Sequence, residues 1–415
     1  MGELVKRISV FFSICVISIC LHVNTETEAK VVSNEQTTQS LIESPLINVA
    51  ELMLRLERAG FKVSGTSTDE SNQNIKQAIK NFQSQYGLTP TGIADQETLE
   101  KLEDVIHNRV ARHLPAIVNP NGVYTYQQMQ EDMKRLEFMY PNLIESKVIG
   151  QSVAGRAIYA IKLGNGKKEV YIDAAHHGRE HMTTNLVMNM VDTYARAYAA
   201  DQTFATYDVK ELLDQVTIWI IPMVNPDGVT LAQHGLKTTV NPGQLILYNN
   251  GRTDFKNWKA NLHGVDLNRQ YPFQWNTIVH DPGKPSYGYY KGQQALSEPE
   301  AKAVYRFIKS HHFLAAISYH SSGQLVYGRS GHDRYTLPLQ KQIADATGYR
   351  PIDLHKNPDG GGLTSWFVYD QGQPGITPEI SPYVVEQPVP LKNWDNVWNR
   401  NKTIGLLVAK HVINR

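Results

Sequence analysis

Residues 169–181 read EVYIDAAHHGREH. Glu169 to Ala175 is a short apolar run centred on Val170, Tyr171 and Ile172, and its length and composition predict a buried strand. Six polar residues follow, His176-His177-Gly178-Arg179-Glu180-His181, and Thr183 or Thr184 can then cap a helix through Asn185-Leu186-Val187 to about Tyr198. A strand that breaks into a polar turn and re-forms as a helix is the building step of an α/β sheet. The pattern repeats outward from this point. Val216 to Val224 (VTIWIIPMV) predicts a second buried strand, stopped by the turn Asn225-Pro226-Asp227-Gly228. Ser297-Glu298-Pro299-Glu300 has the form of a capping box with proline in the first turn, so a helix is expected from there to about Ser310. Phe313 to Tyr319 (FLAAISY) predicts a third strand. From Tyr124 onward the chain alternates short strands with helices, as α/β folds do.

The turn after the first strand carries the chemistry. In open α/β sheets, ligands bind at the carboxyl ends of strands. Zinc takes imidazole nitrogen and carboxylate oxygen, and catalytic sites use three protein ligands with one position left open. His177 and Glu180 can supply two ligands from one tight turn. A competing register, His177-x-x-Glu180-His181, would put both histidines on the metal, but it requires a helix in which positions i and i+4 share a face. Here the preceding residues are strand-like, Gly178 interrupts, and the helix is expected only near Thr183, which favours the first register. His320 closes the third apolar strand ahead of Ser321-Ser322-Gly323 and supplies a third ligand. One zinc ion per chain is the expected cofactor.

Five motifs in order, HGRE (177–180), NPDG (225–228), GVDLNR (264–269), SYHSSG (318–323) and TPEIS (377–381), are similar to those of the metallocarboxypeptidase family. The resemblance runs from about Tyr124 to the C-terminus. It implies a mixed, mostly eight-stranded sheet flanked by helices, with His177, Glu180 and His320 as zinc ligands and Glu379 as the general base acting on a metal-activated water. It further implies that Asp266 buttresses a zinc histidine, that Asn268 and Arg269 grip a substrate carboxylate, and that Arg179 faces the substrate. Two departures stand out. Where the family often has Trp-Arg-Lys, this chain has Trp258-Lys259-Ala260, so Lys259 is left to stabilise the oxyanion as a point charge without a fork. Where the family commonly has a tyrosine some way before the base, this chain places Asn357.

The N-terminal part reads differently. Lys6 and Arg7 precede an apolar run, Ile8 to Leu21, and Thr27-Glu28-Ala29 offers a cleavage site, so residues 1–29 are expected to be a secretory signal peptide. The alternative is an uncleaved anchor, but the run falls short of the roughly 20 residues that span a bilayer. Both cysteines, Cys15 and Cys20, lie in that run, so the mature chain is left without a thiolate ligand or a disulfide. Residues 30–44 and 107–120 read as linkers. Between them, 45–106 predicts a small three-helix domain: Val49, Leu52, Met53 and Leu56 recur at helical spacing before Gly60, as do Ile75, Ile79, Phe82 and Tyr86 before Gly87. A turn through Gly92 then leads to a helix with Leu99 and Leu102. Phe82-Gln83, Gly87-Leu88, Gly92 and Thr98-Leu99 resemble the peptidoglycan-binding-domain-1 family, although Thr91 stands where that family usually has aspartate. A helical prodomain is the other reading of this unit.

With 41% hydrophobic and 20% charged residues the chain reads as a soluble globular protein, and a net charge of +1 gives no electrostatic case for a nucleic-acid partner. Residues 121–415 are expected to form the catalytic domain. Trp-Lys-Ala-Asn (258–261), GVDLNRQYP (264–272) and SYHSSG resemble the γ-D-glutamyl-diamino-acid peptidase branch. Together with the N-terminal module, this implies a secreted, wall-associated peptidase that cuts bacterial stem peptides at the γ-D-glutamyl–diamino acid bond. No stable membrane span is expected after signal cleavage. The alternatives are a general metallocarboxypeptidase that removes C-terminal residues from ordinary peptides, and a non-catalytic wall-binding protein.

Overall fold

The computed structural model describes residues 49–61, 63, 68–102, 105, 115–238, 241–356 and 360–415. The expected signal over 1–29, the linker over 30–44, the first part of the linker over 107–120 and Asn357 lie outside these residues. The chain divides into two units, Met1–His107 and Asn108–Arg415.

The first unit has helices Val49–Arg58 and Thr68–Gln85 and a short helical stretch over 96–102. Leu52, Leu56, Ile75, Ile79, Phe82, Leu99 and Leu102 are buried together, so the helical spacing read from the sequence marks the inward faces. Gln83 is polar and fully buried beside this core. Its amide nitrogen lies within 3.0 Å of Thr91 Oγ1, Ile93 O and Thr98 Oγ1, and its Oε1 accepts from Gly92 N at 2.9 Å. One glutamine thus ties the turn to two helices with its polar atoms satisfied. Gly92 sits at φ +75°, with Lys76 Cγ only 2.7 Å from where a Cβ would stand, so glycine is required there.

The second unit is built on a nine-stranded mixed sheet. Its strands are β1 (Ile144–Gln151), β2 (Ala157–Leu163), β3 (Lys168–Asp173), β6 (Val216–Ile221), β7 (Phe313–Ser318), β8 (His320–Ser321), β9 (Leu325–Gly328), β10 (Arg350–Asp353) and β11 (Gly375–Ile380). A separate ribbon pairs β4 (Thr203–Phe204) with β5 (Tyr207–Asp208). Eight strands follow the path β1-β2-β6-β3-β7-β11-β9-β10, and the short β8 pairs with β11 beside it. The eight-stranded expectation therefore holds, with one short strand added at the site. Strands β6, β3, β7 and β11 are mutually parallel. Both faces of this parallel block are covered: Val170, Ile172, Ile218 and Ile220 join one core, while Tyr171, Trp219, Phe307 and Phe313 join another. That is why VTIWII shows no polar alternation.

The chain leaves β3 for β6 on one side and returns to β7 on the other. Such a reversal opens a crevice at the carboxyl ends of the two strands, and the polar turn after β3 lies there. Three local expectations are corrected. The helix after the turn begins at Met182, not at Thr183 or Thr184. Thr183 does not cap it but lies in its first turn, where Oγ1 donates to Glu180 O and accepts from Ala175 N. Asn225 does not simply end a strand. It caps a helix, Pro226–His234, accepting from Gly228 N at 2.8 Å. The helix at Pro299–Lys309 starts as expected but without a capping-box bond, because Ser297 Oγ turns to Gln270 and Glu298 while Glu300 accepts from Val153 N. Gln270 outcompetes the helix end for that serine.

Candidate active site

His177 precedes, and Glu180 ends, a one-turn 3-10 helix, Gly178–Glu180, just beyond β3. His320 opens β8, just past the end of β7. The structure brings these three together: one ligand atom from each lies within 4.8 Å of the others, and all three residues are buried. His320 Nδ1 is 3.1 Å from His177 Nδ1 and 3.0 Å from Glu180 Oε2, and His177 Nδ1 is 2.8 Å from Glu180 Oε1.

Each of these three side chains is backed by further polar groups. Asp266 Oδ1 stands 3.1 Å from His177 Nε2, which places the ring proton there and leaves Nδ1 with its lone pair. His320 Nε2 lies 3.3 Å from Asn268 Nδ2 and 3.4 Å from Ser318 Oγ, whose hydroxyl donates to Asp173 Oδ1 at 2.8 Å. Burial lowers the His320 pKa to about 4, so the ring is neutral near pH 7. Burial alone would raise the Glu180 carboxyl, but His177 and His320 hold it well below the usual carboxylate range. Its Oε2 also accepts from Ser321 N at 3.1 Å. Two imidazoles and an ionised carboxylate converging in a buried pocket form a donor set suited to zinc.

Neighbouring His176 and His181 are not in this group. His176 meets Tyr271 Oη at 3.0 Å, and His181 precedes the Met182–Ala199 helix. The alternative register needed His177 and His181 on one helical turn, whereas His177 still has extended backbone. His181→Ala is therefore expected to keep one zinc per chain after dialysis, as measured by metal analysis. Loss of the metal would restore the alternative register.

Asp266 organises the other side. It accepts from Lys259 Nζ at 2.5 Å and caps the one-turn helix Leu267–Arg269 through Asn268 N. One fully buried carboxylate therefore orients His177, holds Lys259 and caps the turn that carries Asn268 and Arg269. Burial by itself would raise its pKa, yet Lys259 and His177 keep it well below the usual range. Asn268 Oδ1 accepts from Leu363 N at 3.0 Å. Lys259, Asn268, Arg269, Tyr327, Thr377 and Glu379 line a pocket of about 230 Å³. Glu379 lies on β11 in register with His320 of β8. Burial first, then the Glu180 charge, push its carboxyl well above the ordinary range, while Lys259 and Arg179 pull it back.

Arg179 is nearly buried. Its guanidinium donates to Asn257 O at 3.3 Å and Tyr289 Oη at 3.4 Å, and lies 3.8 Å from Glu386. Tyr289, Tyr327 and Glu386 were not singled out from the sequence. No periodicity or motif marks them, and only the fold carries them to the site. The NPDG motif proves to be a brace, since the Asn225 amide bridges His176 O and Ala260 O at 3.1 Å each.

Residues 129–373 match the family described as zinc carboxypeptidase, a stretch that ends before Glu379, and residues 47–102 match the putative peptidoglycan binding domain. The chain is 30% identical over 299 residues to γ-D-glutamyl-L-diamino acid endopeptidase 1 of Lysinibacillus sphaericus, covering 71% of this chain and 73% of that one. It is 24% identical over 334 residues to human mast cell carboxypeptidase A, covering 76% of this chain and 74% of that one. Among solved structures, thrombin activatable fibrinolysis inhibitor superposes with a TM-score of 0.61 at 20% identity, covering 74% of this chain and 79% of that one. Carboxypeptidase A from Helicoverpa armigera superposes with a TM-score of 0.54 at 19% identity, covering 82% and 88%. At those identities the superpositions show the fold.

Proposed function

The chain belongs to the zinc carboxypeptidase family, and from that premise we propose that it hydrolyses the γ-D-glutamyl–diamino acid bond of bacterial wall stem peptides. The observation that carries this reading is the presence, on one chain, of a zinc peptidase site and a peptidoglycan-binding domain. Binding to the polymer raises the effective concentration of its peptides without any new active-site contact. The name of the Lysinibacillus relative supports the same bond. Because this substrate lies outside the membrane, the reading includes export directed by residues 1–29. Among the described residues no helix is long and apolar enough to cross a membrane.

In this reading His177, Glu180 and His320 hold the zinc. A zinc ion bound there supplies Lewis acidity and positive charge, which polarise the scissile carbonyl, lower the pKa of a water and offset the Glu180 charge acting on Glu379. Glu379 takes the proton of the attacking water and returns one to the leaving amine. Lys259 offers its ammonium to the developing oxyanion while Asp266 fixes its position. Asn268 and Arg269 bind the free carboxylate on the amine side of the bond, where a guanidinium fork matches a carboxylate.

The test is a peptide panel. A γ-D-glutamyl–diaminopimelate peptide is expected to be cleaved at least ~100-fold more efficiently, by kcat/KM, than a plain α-linked L-peptide with a free C-terminus. The opposite preference would make the protein a general carboxypeptidase.

A further inference from the structure

Beside the metal ligands lies a second donor set whose occupant is one of the chain's own side chains. Glu386 accepts from Tyr287 Oη at 2.9 Å and from Tyr289 Oη, and it pairs with Arg179 at 3.8 Å. Two phenols and a guanidinium around one carboxylate make a carboxylate-binding site in composition. The occupant is bonded to both tyrosines but only loosely paired with the arginine. Glu386 sits in an irregular segment beyond β11, its side chain is 36% exposed, and the arginine contact is longer than a hydrogen bond. The donors are better anchored. Arg179 lies between metal ligands His177 and Glu180, with a side chain 8% exposed. Tyr289 takes a left-handed backbone, φ +69°, and donates its own N–H to Asp266 Oδ2 at 3.3 Å. A non-glycine residue held in that region marks a position the surrounding structure enforces. Lys259 Nζ and Arg269 Cζ lie 4.8 Å and 5.8 Å from the Tyr289 ring centre, so this tyrosine stands among all three cations of the site.

The chemistry of the proposed substrate asks for such a site. A glutamyl residue linked through its γ-carboxyl keeps its α-carboxylate free on the acyl side of the scissile bond. An α-linked peptide has a neutral amide there. The diamino acid on the amine side brings its own carboxylate, which Asn268 and Arg269 take. Two anions therefore flank the bond, and two donor sets are available, Asn268 and Arg269 in the pocket and Arg179, Tyr287 and Tyr289 around Glu386. Resting on the reading of the preceding subsection, we propose that Arg179, Tyr287 and Tyr289 form the subsite for the α-carboxylate of the γ-linked glutamyl residue, and that Glu386 occupies this subsite until substrate displaces it. Selection for γ-linkage then comes from charge recognition on the acyl side.

The experiment uses the zinc-loaded full chain and two synthetic peptides that differ only in whether the glutamyl α-carboxyl is a carboxylate or a carboxamide. The kcat/KM ratio of carboxylate to carboxamide is expected to be at least about tenfold in the natural protein. It should fall to near one in Arg179→Gln, fall part of the way in Tyr289→Phe, and rise several-fold, through a lower KM for the carboxylate peptide, in Glu386→Gln. Zinc content and Tm are measured for each variant, so that a misfolded protein is not scored. A ratio near one in the natural protein, or one that Arg179→Gln leaves at its natural value, overturns the subsite. A higher KM for the carboxylate peptide in Glu386→Gln overturns the displacement. Failure to cleave either γ-linked peptide, with cleavage of ordinary C-terminal residues, instead overturns the bond assignment and takes the subsite with it.

Discussion

Glu379→Gln is expected to lower kcat by about a thousandfold, within the range general-base catalysis contributes, while the protein still binds one zinc per chain. The amide keeps the shape of the carboxylate but cannot take a proton from water. Glu379 lines the pocket but does not belong to the group of side chains that converge as metal ligands, so metal content should not change. Its surroundings also give the pH dependence a sign. Burial raises its pKa, and a base must be deprotonated to work. Activity therefore climbs with pH through this ionisation, and that acid limb should vanish in the residual rate of the glutamine variant. Single-turnover rates and metal analysis on the same samples decide the matter. Natural turnover in the variant removes Glu379 from the reaction, and loss of zinc makes it a ligand instead.

Gly178→Ala is expected to weaken zinc binding by about 10–100-fold, the range seen when the support of a metal ligand is lost, and to cost about 1–3 kcal/mol of stability by overpacking. A Cβ at this position would stand 2.4 Å from Gly228 O, 2.6 Å from Gly228 C and 2.9 Å from Trp258 O. All three are backbone atoms, and no flexible side chain can yield. Gly228 is itself pinned, its N–H donating to Asn225 Oδ1 at 2.8 Å while the Asn225 amide bridges His176 O and Ala260 O. The added methyl must then move the short turn with His177 before it and Glu180 at its end. Competition with a chelating dye and thermal unfolding of the zinc-free protein read the two effects separately. Zinc affinity equal to the natural protein's would show that this close approach does not set the turn.

The parallel strands were legible because burial on both faces leaves a run such as VTIWII with no other good reading. The polar turn after β3 was legible because an abrupt switch from apolar strand to HHGREH has few structural explanations. The capping-box reading at Ser297 failed for a long-range reason, since its hydroxyl answers to Gln270, distant in sequence and adjacent in space. Tyr289 and Glu386 were invisible for the same reason, as neither has a local pattern to betray it. The NPDG helix was missed because turn residues and N-cap residues are the same residue types.

The pairing of β8 with β11 sets Glu379 beside His320 as neighbouring rungs of one sheet. Their spacing is dictated by interstrand distance, about 4.8 Å, and no loop can drift and change it. Tyr287, Tyr289 and Glu386 hang from irregular segments instead. Under the proposed roles, the sheet sets the base against the metal-binding group, while the acyl-side contacts come from irregular segments, so new bond preferences could be sought by randomising those segments alone with a readout on selectivity.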